Sequence, residues 1–86
     1  MDATTFLKNK LQELKTQITA INIRYENRKQ IHIIEILPLE LYNTNIEYME
    51  VENNIIIEFE DLFPDENIIF ISTDSLTEVR NCQFQI

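Results

Sequence analysis

Five carboxylates crowd into nine consecutive residues of this chain: Glu58, Glu60, Asp61, Asp65 and Glu66. Glu58 and Asp61 stand three apart, so on a helix they share a face. Asp65 and Glu66 follow Pro64 in the turn-forming stretch "PDEN". Oxygen clusters of this kind can hold a hard cation or pair as general acid and base. The spacing favours neither chemistry. An EF-hand loop needs glycine at its sharp turn, and this chain has no glycine at all. Acid–base work needs a cleft, and nothing in the sequence argues for one. Recognition suits the cluster better, because rim carboxylates speed encounter with a basic partner and set specificity. Apolar anchors such as Tyr48 would then carry the binding energy. The plain alternative is a solvated helix face that ends in a polar turn.

The other chemically capable side chains lack companions. His32 is the sole histidine and sits between isoleucines, so metal and triad readings both miss their other members. Cys82 is the sole cysteine, which excludes an intramolecular disulfide and a cysteine-based zinc cage. It lies near the end of an amphipathic strand, where a free cysteine behaves as a small buried hydrophobe. Ser72 and Ser75 are the only serines, and neither has nucleophile-elbow glycines beside it. No enzymatic activity, metal or cofactor is expected.

Composition narrows the class further. Eighty-six residues make one domain, and a hydrophobic fraction of 44% is enough for a core. Without glycine no phosphate-cradling loop can form. Turns must rest on Asn, Asp and Pro. The opening "MDATTFLKNK" lacks the basic region and apolar run of a signal peptide. The longest uninterrupted apolar run is 68–71, far short of the roughly 20 residues that span a membrane. A cytoplasmic location is expected, and it also suits a lone thiol.

The net charge of −8 is unevenly spread. Residues 1–29 carry six basic side chains against three acidic ones, whereas residues 30–86 carry twelve acidic ones against Arg80 alone. Direct nucleic-acid binding is therefore not expected, because phosphates repel carboxylates. A basic protein partner is. Glu58, Glu60 and Asp61 also fall near a predicted helix C-terminus, where each acid costs about 0.3–1 kcal/mol against the macrodipole. No Lys or Arg between residues 30 and 79 offsets them locally.

The elements that must position these residues are readable in outline. Leu7, Leu11, Leu14, Ile18 and Ile21 step by four, three, four and three, a helical stripe that Asp2 or Thr4 would cap. The same spacing is a heptad seam, but like charges flank it, so packing on the chain's own sheet is the better expectation. "AINIRYE" and "QIHIIEIL" read as a hairpin, with strands near 20–26 and 30–37 and a turn at 27–29; Pro38 ends it. Residues 45–52 fit either a short strand or the start of a helix reaching 63. Thr44 and Glu47 form a capping-box pattern, but adjacent Asn53 and Asn54 favour a helix that begins there. "IIFIS" is a buried strand, Ser75 and Glu78 suggest a helical turn, and "CQFQI" is a final strand with Cys82, Phe84 and Ile86 inward. The expected fold is α+β: two helices packed on one face of an antiparallel sheet of about four strands, in the order α-β-β-α-β-β. The expected function is a non-catalytic protein-binding module, of the inhibitor or immunity/antitoxin kind. The alternative is an accessory subunit that self-associates through a sheet edge or the N-terminal helix seam.

Overall fold

The computed structural model describes residues 2–73 and 79–86. Helix α1 (Ala3–Gln17) starts at Asp2, whose carboxylate accepts from the Thr5 N–H at 2.7 Å. At the far end Lys15 Nζ donates to the carbonyls of Thr19 and Ile21, closing the helix terminus. The leucine stripe Leu7, Leu11 and Leu14 is wholly buried, with Ile18 and Ile21 continuing it. The heptad-like seam is therefore part of the chain's own core and has no surface left for a second copy.

β1 (Asn22–Arg28) and β2 (Ile31–Leu37) form the expected hairpin, but its turn is tighter than the composition suggested. Asn27 pairs with His32 and Arg28 with Ile31, so the loop is only Lys29 and Gln30. Two-residue hairpin loops need positive φ to match the strand twist. Glycine normally supplies it; here Lys29 does, at φ 60°.

Pro38 ends β2 and opens α2 (Leu39–Thr44), a short helix beyond the two that were expected. α3 (Ile46–Leu62) follows at once, and the side chain of Asn45 caps it by accepting from the Tyr48 N–H at 2.8 Å. Residues 46–52 are thus helical, which corrects the expectation of a strand and a helix beginning at Asn53 or Asn54. The cap is Asn45, not Thr44, whose hydroxyl donates back to the Glu40 carbonyl. Asn53 and Asn54 face solvent in mid-helix, where their low propensity costs only some tenths of a kcal/mol. Burial of Tyr48, Ile55 and Phe59 along one stripe outweighs that cost.

β3 (Asn67–Ile71) lies parallel to β2, with Ile33 opposite Ile69. β4 (Phe84–Gln85) pairs antiparallel with β1, Tyr25 opposite Phe84. The strand order is β3-β2-β1-β4. The fold is α+β with four strands, but the sheet is mixed rather than antiparallel throughout. The α2–α3 crossover is the reason: it carries the chain back to the end of the sheet where β2 began.

Both faces of the central strands are covered. On one face Ile23, Tyr25, Ile34 and Ile36 meet Phe6, Leu7, Leu11 and Leu14 of α1 and Tyr48, Ile55 and Phe59 of α3. On the other, Ile33, Ile69 and Ile71 meet Val79, which belongs to the chain on its way to β4. The helical turn expected around Ser75 and Glu78 lies outside the described residues. Among the described residues no helix is long and apolar enough to cross a membrane.

The Asn45 cap yields a direct test of the α3 boundary. Asn45→Ala should lower stability by about 1 kcal/mol. Denaturant unfolding measures it, and an unchanged midpoint would place the helix start elsewhere.

Candidate functional site

The acidic cluster divides into outward and inward members. Glu60, Asp61 and Asp65 are exposed, and no ion pair joins them to another described residue. Glu58 is also exposed but meets Lys10 of α1 at 3.2 Å. Asn54, Ile57, Glu58, Glu60 and Asp61 line one shallow, open depression on the outer side of α3. Glu58, Glu60 and Asp61 therefore share one exposed face, which holds more than acids. The same face carries large exposed apolar side chains: Ile46 at 71% exposure, Ile57 at 59% and Met49 at 39%. Periodicity did not reveal them, because isoleucine on a helix reads first as core.

Tyr48 does not belong to this surface. It is fully buried between α2 and the sheet, its ring 5.7 Å from that of Tyr42, so it cannot anchor a partner. Its hydroxyl donates to Glu52 Oε1 at 2.7 Å. Burial pushes the Tyr48 phenol far up and, against the hydrogen bond from Tyr48, also raises the Glu52 carboxyl.

Glu66 turns inward as well, to a site the sequence gave little sign of. His32 sits on β2 with its side chain 1% exposed. Its Nε2 lies 2.6 Å from Glu66 Oε1 and its Nδ1 lies 2.5 Å from the Tyr25 hydroxyl. Thr4 Oγ1 stands 3.2 Å beyond, on the Tyr25 oxygen. A carboxylate can only accept, so Nε2 carries the proton toward Glu66. In the neutral imidazole Nδ1 then accepts from the Tyr25 O–H, and Thr4 donates to Tyr25. One proton arrangement satisfies the whole row. Burial raises the Tyr25 phenol, which keeps it a donor at neutral pH. Phe59 closes the imidazole edge-on at 5.3 Å and Tyr25 stacks on Phe84 at 4.6 Å. With both nitrogens engaged and no open face, this histidine acts as a polar peg that joins α1, β1, β2 and the turn before β3.

The second face of the sheet has its own polar peg. Glu26 accepts from Arg28 Nε at 3.0 Å and a second Arg28 nitrogen at 3.1 Å, and from the backbone N–H groups of Arg80 and Asn81 at 2.8 and 3.2 Å. The Arg28 hydrogen bonds foremost, then the two backbone donors, hold its carboxyl down to about 2. Arg24 pairs with Glu35 beside it at 3.0 Å. These arginines serve the sheet face opposite the helices, whereas Lys10 forms its ion pair on α3.

The remaining candidates are structural or isolated. Ser72 is buried and donates to the Ile36 carbonyl at 2.6 Å. Cys82 is exposed, not inward as the final-strand pattern suggested; its thiol donates to the Phe84 carbonyl, and regular pairing begins only at Phe84. Among the described residues no group of three or more His, Cys, Asp or Glu is arranged to hold a metal ion. No family model, no curated protein and no protein of solved structure matches the chain.

Two outcomes follow from the pegs. Glu26 has a folded value below its ordinary 4.5, so its stabilisation is fully present above that pH and is lost as pH falls toward about 2. The Arg80 and Asn81 amide resonances should shift through that window in an acid titration, and Glu26→Gln should remove the effect. Tyr25→Phe leaves His32 Nδ1 buried without a donor and should cost about 1–3 kcal/mol in chemical denaturation.

Proposed function

We propose that this chain is a non-catalytic protein-binding module that docks a basic protein through the outer face of α3 and the turn that follows. The observation that carries the reading is the pairing, on one helix face, of exposed Ile46, Met49 and Ile57 with exposed Glu50, Glu60 and Asp61. Large apolar side chains supply binding energy once desolvated, and surrounding carboxylates steer a cationic surface toward them. Ile57 and Ile46 take the anchoring role, since Tyr48 is buried. An inhibitor or immunity protein that occludes a basic enzyme is the form of module this small acidic chain suits. The engaged state of His32 supports the non-catalytic part of the reading, because neither ring nitrogen is available to a substrate.

The test begins with capture of partners from the native cell. The captured protein is then measured against the triple variant Glu60→Lys, Asp61→Lys, Asp65→Lys. These residues make no ion pair with another described residue, so the fold should survive; Glu58 and Glu66 are left alone because Lys10 and His32 use them. The association rate at low salt should fall by about tenfold or more, and its salt dependence should flatten. An unchanged rate with unchanged salt dependence would place the interface elsewhere.

A further inference from the structure

The outer face of α3 has a definite shape. At 100° per residue, Ile46, Glu50, Ile57 and Asp61 fall within about 60° of one another around the helix axis. They form a nearly straight line, directly opposite the buried stripe of Tyr48, Ile55 and Phe59. Met49 and Glu60 stand on one shoulder of that line, Glu47 and Glu58 on the other, and all are exposed. The apolar members Ile46 and Ile57 lie about 16 Å apart along the axis. The surface is an open helix face with one shallow depression beside Ile57 rather than an enclosed cleft, and a helix face of this length is complemented by the ridges and grooves of another helix.

We infer that the partner element is an amphipathic basic helix that lies alongside α3, its apolar stripe on Ile46, Met49 and Ile57 and its cations on Glu50, Glu60 and Asp61. The inference rests on the docking reading above and specifies what docks. Charge complementarity selects the partner: α3 has six carboxylates in its 17 residues and not one Lys or Arg. The chain already contains one instance of the arrangement. α1 is a lysine-bearing helix packed beside α3, and its Lys10 reaches Glu58 across the gap. A second basic helix on the outward side would repeat that contact where no element of the described residues lies. A second copy of α1 cannot be this helix, because its apolar stripe is already buried.

The probe is a labelled Leu/Lys peptide of about five turns, patterned as an amphipathic helix, against a scrambled peptide of the same composition. Fluorescence anisotropy with the full chain reads the affinities. The patterned peptide should bind at least about tenfold more tightly than the scrambled one. Ile46→Gln with Ile57→Gln, both exposed and neutral, should erase that preference while far-UV circular dichroism stays unchanged. Equal binding of the two peptides, or a preference that survives the double variant, would overturn the inference. If the two bind equally and Glu50→Gln with Asp61→Asn weakens both, the helix assignment falls while the acidic docking surface stands. If neither peptide binds, the helix assignment falls, and the native capture decides the docking reading separately.

Discussion

The fold depends on covering the β1–β2 hairpin from both sides. Its strands are the inner pair of the sheet, so the hairpin has a strand on either side and two faces to bury. Helices α1 and α3 cover one face; Val79 covers part of the other. This explains why "IHIIEIL" reads as a nearly continuous apolar run rather than a strict alternation. It also explains the positions of the buried polar residues. His32 and Glu26 each sit where a covering segment must be held to the hairpin, and each gathers donors or acceptors from that segment. On the helical side the row from Thr4 to Glu66 joins four parts of the chain. On the other side two consecutive backbone N–H groups converge on the Glu26 carboxylate and fix the chain just before β4.

Those pegs were not legible in the sequence, and the reason is physical. A lone histidine between isoleucines carries no mark of its partners, since Tyr25 is seven residues away and Glu66 thirty-four. Glu26 reads as the polar half of an alternating strand and Glu35 as a lone acid in an apolar run, whereas both are buried against arginines. What was legible rested on local periodicity: the α1 stripe, the hairpin, the β3 run and the α+β class. What was not legible depended on tertiary context. The parallel placement of β3 follows from the crossover helices, not from any residue in β3. The extent of α3 turned on whether Asn53 and Asn54 cap a helix or sit on its solvent side, and only the burial of Tyr48 upstream decides it. The same burial removes Tyr48 from the acidic face, where its aromatic side chain had suggested an anchor.

The charge asymmetry resolves into two populations of carboxylates. Glu26, Glu35, Glu58 and Glu66 meet partners within the fold: Arg28, Arg24 and Lys10 of the N-terminal third for the first three and His32 for the last. Glu50, Glu60, Asp61 and Asp65 make no such pair among the described residues and remain on the surface. Glu60 and Asp61 fall in the last turn of α3, which has no basic residue, so each opposes the helix dipole by about 0.3–1 kcal/mol. Solubility alone would be served by acids placed anywhere, without that cost and without Ile57 between them. Scattered single apolar residues on a surface need no explanation, but Ile46 and Ile57 are in line, on the side of the helix opposite its buried stripe. Hydrophobic exposure and uncompensated charge on the same helix face are each unfavourable to the isolated chain. A cationic, apolar partner would relieve both at once, and no element among the described residues does.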